Sequence, residues 1–274
     1  RIMGIKLGFI GTGNMGSSLV KGAVRSGVAA PEDIYIYDAD GGKMRQLAEE
    51  TGVIPVSGNK KLVRECDYIV IAVKPAYIGE VLEEIKDVFT ASKVLISIAV
   101  GTTKTYRTAL GENIKIVRTM PNLPVLVGEG MTLVYFGNNL SDDEKKFVRD
   151  LFEGSGKVEE LEERLMSEVT ALTSGSPAYV FMLIEAMSDS AVQSGIPRKI
   201  SYRLAAQAVL GAAKLVLETG LHPAELKDQV CSPAGTTIEA ILSLEKSGFR
   251  SSIIEAMREC TKRALEIGRA AESR

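Results

Sequence analysis

Lys6-Leu-Gly-Phe-Ile-Gly-Thr-Gly-Asn-Met-Gly16 is the stretch that decides how this chain folds. A short apolar run, Lys6 to Ile10, breaks into glycines spaced G-x-G-x-x-G, and a helical pattern from Met15 to Ser26 follows and stops at Gly27. Each glycine has its own task in such a turn. Gly11 makes the tight bend, Gly13 lets a diphosphate approach the backbone, and Gly16 allows close helix–strand packing. The helix start then offers unpaired N–H groups and the positive end of its dipole to that diphosphate. Alone the motif is weak. Here an acidic residue, Asp38, ends the next apolar run, Ile34 to Asp38, roughly 20 residues further on, as a dinucleotide fingerprint requires. Gly11, Thr12, Gly13, Asn14 and Met15 are therefore expected to hold NADH or NADPH, with Asp38 at the ribose.

Asp38 favours the 2′-hydroxyl of NADH over the 2′-phosphate of NADPH. Lys43 and Arg45 lie just beyond Gly41-Gly42 and could turn toward such a phosphate, so the choice stays open.

Working outward, strand and helix signals alternate. Lys43 to Thr51 reads as a helix, Tyr68 to Val73 as a strand apolar on both faces, and Val94 to Ile98, Ile114 to Val117 and Met131 to Phe136 as further strands. Ser141-Asp-Asp-Glu144 has capping-box spacing and opens a helix through Phe152. Strands separated by helices imply right-handed crossovers and an α/β doubly wound parallel sheet. After about Glu163 the strand signals stop, and Ala-, Leu- and Met-rich helical patterns run to the end. The expected division is residues 1–163 for the sheet domain and 164–274 for an all-helical one. Ser176-Pro177 reads as an N-cap and first-turn pair, and Met182, Met187 and Met257 as core material.

In an open parallel sheet, ligands bind beyond the carboxyl ends of the strands. Ala72-Val-Lys-Pro75 and Ser97-Ile-Ala-Val-Gly101 are thus expected to border the cofactor. Lys74 could reach phosphate or ribose, or be a solvated loop lysine.

Composition narrows the classes. The 274 residues are 45% hydrophobic and 25% charged with net charge -2, so no global field recruits nucleic acid or an anionic membrane. No continuous apolar run reaches the ~20 residues of a bilayer span. No signal-peptide pattern opens the chain, Met3 reads as the natural start, and the cytoplasm is the expected address. Cys66, Cys231 and Cys260 lack metal-type spacing and suit a reducing compartment. His222 is the sole histidine, so no histidine-rich metal site is expected, and a Ser-His-Asp hydrolase would have to use that residue. It reads instead as a turn cap before Pro223. Lys214 with Glu218 at i+4 reads as a surface pair.

The helical half carries one informative segment, His222 to Ile241. Ser232-Pro-Ala-Gly235 is a turn before a helix, and Thr236 with Glu239 three residues on has capping-box spacing, which makes Thr236 the expected N-cap and Thr237 the first helical residue. A helix start ringed with hydroxyls suits a small carboxylate, though a well-capped surface helix would look the same.

That segment resembles the signature of the pyrroline-5-carboxylate reductases, with Pro223, Leu226, Val230, Ser232, Gly235, Thr237 and Ala240 at its places. The likeness continues through Gly8 to Gly16, Ala72 to Pro75, Met120-Pro-Asn-Leu-Pro124, Pro177-Ala-Tyr179, Gly211 to Lys214 and Gly248 to Ser251. It implies a Rossmann-type domain followed by an all-helical dimerisation domain, and reduction of 1-pyrroline-5-carboxylate to proline by NADPH or NADH. It implies a homodimer, or a decamer built from dimers. By the same likeness, Thr237 is the catalytic residue at the ring nitrogen, and Ser232, Gly235, Thr236 and Thr237 hold the substrate carboxylate. Asn59, Ala72, Val73, Lys74 and Pro75 contact the cofactor, and Ala99 faces the nicotinamide. One departure stands out: Ser174-Gly175-Ser176 replaces the usual Gly-Ser-Gly or Gly-Ser-Ser. A β-hydroxyacid dehydrogenase would share the first half but need Lys214 as its catalytic lysine. A non-catalytic cofactor sensor would bind NAD(P)H without turnover.

Overall fold

A computed structural model describes residues 4–99 and 103–272, with side chains through Gly268. Val100 and Gly101, expected beside Ala99, lie outside the described residues, as does the start at Arg1-Ile2-Met3. The chain forms two compact units, residues 1–174 with 261–274, and residues 175–260.

The first unit is built on one eight-stranded sheet in the order β3-β2-β1-β4-β5-β6-β7-β8. Its strands are β1 (Leu7–Ile10), β2 (Ile34–Tyr37), β3 (Ile54–Pro55), β4 (Tyr68–Ile71), β5 (Val94–Ser97), β6 (Lys115–Met120), β7 (Gly130–Phe136) and β8 (Gly156–Glu160). The reversal of strand order at β1 and β4 is the switch point where such sheets bind ligands. Alternate residues of each central strand feed two separate cores. Leu7, Phe9, Val70, Val94 and Ile96 pack with helices α1 (Asn14–Ser26), α2 (Gly41–Thr51) and α6 (Asp142–Glu153). Ile10, Ile69, Ile71 and Leu95 pack with α3 (Asn59–Glu65), α4 (Ile78–Ile85) and α5 (Thr103–Leu110) on the other face. Doubly apolar strands are what a sheet covered on both sides demands.

Two features depart from the sequence reading. β7 runs antiparallel to β6, because residues 121–129 carry a single 3-10 turn, too little chain for a crossover helix. The edge strands β3 and β8 escaped notice. β3 is a two-residue strand ending in Pro55, and β8 exposes Lys157, Glu159 and Glu160 with only Val158 apolar, so neither has an apolar period. The Ser141 capping box forms, with Ser141 Oγ accepting from Glu144 N at 3.2 Å and Glu144 Oε2 accepting from Ser141 N at 2.8 Å.

The second unit is all-helical: α7 (Ser176–Gln193), α8 (Arg198–Thr219), α9 (Pro223–Val230), α10 (Thr236–Lys246) and the first half of α11 (Phe249–Glu272). α7 and α8 form a hairpin across Gly195, whose φ of +92° suits glycine. Ser188 and Ser201 hydrogen-bond inside it at 2.5 Å. Ser176 is not an N-cap. The chain enters α7 from a π-helical turn, Ala171–Gly175, so Gly175 is already helical at φ −85° and ψ −39°. Met182 and Met187 are not core residues within one chain, being 69% and 38% exposed. The helical pattern that placed them on an apolar face was right, but that face is open. Lys214 and Glu218 form no ion pair among the described residues. α8 is 22 residues long and contains an 18-residue window of mean hydropathy 1.3, so by length and composition alone it could cross a membrane.

Candidate functional site

The three glycines after β1 occupy three different environments. Gly11 has φ +100°, and a Cβ there would stand 2.8 Å from the Ala72 backbone. A Cβ on Gly16 would stand 2.2 Å from the Gly11 carbonyl oxygen. A Cβ on Gly13 would meet nothing within 4 Å. Two glycines are thus required by the protein's own packing, and the third faces open space at the N-terminus of α1. That cradle fits a diphosphate, and it is the observation by which the residues present suit a dinucleotide.

Asp38 follows β2 and turns back onto this loop. Its Oδ2 accepts from Thr12 N at 2.6 Å and from Thr12 Oγ1 at 3.1 Å, while its Oδ1 accepts from Asp40 N at 2.8 Å. Asp40 caps α2, accepting from Gly42 N and Lys43 N, and the Lys43 N–H is the main cause holding its carboxyl below the usual carboxylate range. Lys43 Nζ also lies 3.5 Å from Asp40 Oδ2.

At the ends of β4 and β5, Ala72 and Val73 are half-buried, and Lys74 and Pro75 are exposed. Asn59, at the start of α3, is buried. Its Nδ2 donates to Glu84 Oε2 at 2.7 Å, and its buried Oδ1 has no partner among the described residues. Ala99 is half-buried, its N–H donating to Ser97 Oγ at 3.2 Å. Buried Ser97 and Tyr106 hydrogen-bond through their hydroxyls, and burial raises the Tyr106 phenol above its usual value. A cavity of about 110 Å³ opens beside Ala99, walled by Arg118, Thr119, Met120 and Met166.

Arg118 and Glu163 shape this corner and were missed in the sequence. Arg118 Nη1 lies 3.1 Å from Glu163 Oε1, which also accepts from Thr103 N at 2.8 Å, while Oε2 accepts from Thr103 Oγ1 at 3.1 Å. Glu163 thereby ties β6 to the start of α5. The available signal was a charged residue inside an apolar strand, but the strand was ended at Val117, one residue short of it.

In the helical unit, the start of α10 differs in detail from the capping-box expectation. Gly235 is the N-cap at φ −81° and ψ 169°, with no side-chain cap, and Thr236 and Thr237 are the first two helical residues. The displacement has a cause. Gly235 N donates to Ser232 O at 3.0 Å and Ala234 takes φ +55°, so the turn closes one residue earlier. A Cβ on Gly235 would stand 2.3 Å from Ser232 Oγ, so a glycine is needed there. The Gly235 N–H is thus already engaged. The N–H groups of Thr236 and Thr237 have no intrahelical carbonyl to meet. Among the described residues, neither threonine hydroxyl makes a protein hydrogen bond. Ser232 and Thr236 are exposed, and Gly235 and Thr237 half-buried. His222 caps α9, its Nδ1 accepting from Ala224 N at 3.2 Å. Gly175, in the departing Ser174-Gly175-Ser176 stretch, is closely packed: a Cβ would stand 3.0 Å from Tyr179 Oη and 3.1 Å from Cys260 Sγ, so those side chains would have to yield slightly. Among the described residues no group of three or more His, Cys, Asp or Glu could hold a metal ion.

Residues 163–267 match the family model described as pyrroline-5-carboxylate reductase dimerisation. Residues 6–101 match the model described as NADP oxidoreductase, coenzyme F420-dependent. The pyrroline-5-carboxylate reductase of Methanosarcina acetivorans is 42% identical over 265 residues, covering 96% of this chain and 98% of that protein. The Plasmodium falciparum pyrroline carboxylate reductase, solved with NADP bound, is 34% identical with a TM-score of 0.87, covering 98% of this chain and 100% of that one. The Coxiella burnetii pyrroline-5-carboxylate reductase structure gives 34% identity and a TM-score of 0.91, covering 96% and 98%. A glycine cradle on a Rossmann-type sheet, a hydroxyl-bearing helix start and relatives matched end to end agree: this chain belongs to the pyrroline-5-carboxylate reductase family.

Proposed function

We propose that the chain reduces 1-pyrroline-5-carboxylate to L-proline, the final step of proline biosynthesis, with NADH or NADPH as cofactor. The observation that carries the reading is the start of α10, where, among the described residues, two threonine hydroxyls and two helix-terminal N–H groups stand without protein partners beside Ser232. A small anionic ring bearing one basic nitrogen needs that donor set.

The reduced nicotinamide supplies the hydride. In the first unit, Gly11, Thr12, Gly13, Asn14 and Met15 carry the diphosphate on the N-terminus of α1. Asp38 and Asn59 serve the adenosine end, Ala72, Val73, Lys74 and Pro75 the loop beyond β4, and Ala99 the nicotinamide end. In the second unit, Ser232 and the N–H groups of Thr236 and Thr237 hold the substrate carboxylate, while Gly235 shapes the turn. Thr237 Oγ1 is the catalytic group at the ring nitrogen. A protonated imine is already electrophilic, so alignment is the main requirement, and it can supply ~7–11 kcal/mol of barrier reduction. A threonine hydroxyl has no pKa near neutrality, so Thr237 orients the nitrogen more than it protonates it.

Residues 164–274 act as the substrate-binding and dimerisation domain. Phe181, Met182, Leu204 and Leu217 are 54%, 69%, 56% and 80% exposed in one chain, more apolar surface than a monomer leaves open. A second copy covers these faces, α8 included, giving a homodimer or a decamer built from five dimers in the cytoplasm. Light scattering tests this assembly, and a monomer contradicts it. The function is tested by supplying 1-pyrroline-5-carboxylate with NADH or NADPH and measuring L-proline against oxidised cofactor. Equal amounts support the reading, and cofactor binding without proline refutes it.

A further inference from the structure

The Asp38 carboxylate is pinned, not merely present. Thr12 donates to its Oδ2 through both backbone N–H and hydroxyl, at 2.6 and 3.1 Å, and Asp40 N donates to Oδ1 at 2.8 Å. These donors fix it at the carboxyl end of β2, against the same glycine turn whose Gly13 faces open space. Lys21 and Lys43 line the hollow beside Thr12 and Gly13, each already paired with a carboxylate, Lys21 with Glu50. Lys43 lies against Asp40, itself a second carboxylate. Arg45 sits a turn into α2, its Nη1 reaching back to 3.8 Å from where a Gly41 Cβ would be.

We propose that the Thr12–Asp38 pairing makes NADH the preferred cofactor of this chain, with Asp38 as the specificity-determining residue and Thr12 as its positioning residue. The inference rests on the dinucleotide reading of the glycine loop. A ribose 2′-hydroxyl can donate to a fixed carboxylate oxygen. A 2′-phosphate offers only acceptors and about two negative charges, and the carboxylate cannot swing aside while Thr12 holds it. Arg45 could reach a phosphate only on a long side chain that no hydrogen bond or ion pair among the described residues holds.

The test is a titration of the purified protein with NADH and with NADPH, followed by nicotinamide fluorescence with no imine present. The expected result is a Kd for NADH lower by about tenfold or more, a gap that narrows as salt is raised. Asp38→Asn keeps the shape and removes the charge, and is expected to close most of that gap through tighter NADPH binding. Thr12→Val removes the hydroxyl bond to Oδ2 but keeps the backbone N–H, and is expected to close the gap only in small part. NADPH binding as tightly as NADH in the unaltered chain overturns the proposal, as does an unchanged ratio in Asp38→Asn. An NADPH preference that disappears in Arg45→Ala overturns it in favour of Arg45. Because no imine is used, failure here leaves the reduction reading standing, and absence of proline formation leaves this readout intact.

Discussion

The carbonyl oxygen of Gly11 lies 2.2 Å from the point a Cβ on Gly16 would occupy, while a Cβ on Gly13 would touch nothing within 4 Å. One motif therefore contains a glycine that packing demands and one that faces open space, and substitution separates them. Gly16→Ala is expected to lower stability by roughly 1–3 kcal/mol, since backbone must move to admit the methyl group. Gly13→Ala is expected to leave the melting temperature nearly unchanged yet weaken NADH binding at least about tenfold. Thermal unfolding and cofactor titration of the two variants check both. Equal stability losses would remove the distinction.

The Arg118–Glu163 pair predicts a strong asymmetry between two substitutions. Arg118 is buried, and Glu163 is its recorded partner as well as the acceptor for Thr103. Glu163→Ala leaves the guanidinium uncompensated and the start of α5 untied, and is expected to cost roughly 3 kcal/mol. Glu163→Gln keeps an oxygen for Thr103 and should cost clearly less. Urea unfolding distinguishes them, and indifference to both would mean the pair is not structural.

Much of this was legible before any coordinates. The glycine turn, the doubly apolar strands and the Ser141 box are local patterns, and each fixes its own geometry. The direction of β7 was not local. It depended on the absence of a crossover after Met120, which the strand pattern of Met131 to Phe136 does not encode. β8 was hidden because an edge strand can be charged on its outward residues. At the candidate site, Thr236 and Thr237 were placed at the right helix start but one position out, because a left-handed Ala234 and the Ser232–Gly235 turn, not the Thr236 side chain, close it. The misassigned Met182 and Met187 show the limit of a helical period: it finds an apolar face without telling what covers it.

Cys66 gives a pH signature. Burial raises its thiol from 9.0 to about 12. The folded state holds this proton more tightly than the unfolded state does, so the contribution to stability is complete below pH 9.0 and is lost as pH rises toward about 12. Stability should fall by up to roughly 1.4 kcal/mol per pH unit across that window from this group alone. Urea unfolding at about pH 8 and about pH 10.5 should show Cys66→Ala losing less than the unaltered chain. An identical alkaline decline in both would assign it to other groups. Cys66 should also resist thiol reagents that reach the half-buried Cys231 and Cys260.

If the helix start at Thr237 serves the imine while the glycine loop serves the cofactor, substitution at Thr237 separates turnover from cofactor binding. Steady-state proline formation by Thr237→Ala, with NADH affinity measured on the same preparation, should show kcat reduced about 100-fold or more and the cofactor Kd unchanged, with Thr237→Ser recovering much of the rate. A Thr237→Ala enzyme turning over at the original kcat would remove Thr237, and with it the start of α10, from the reaction.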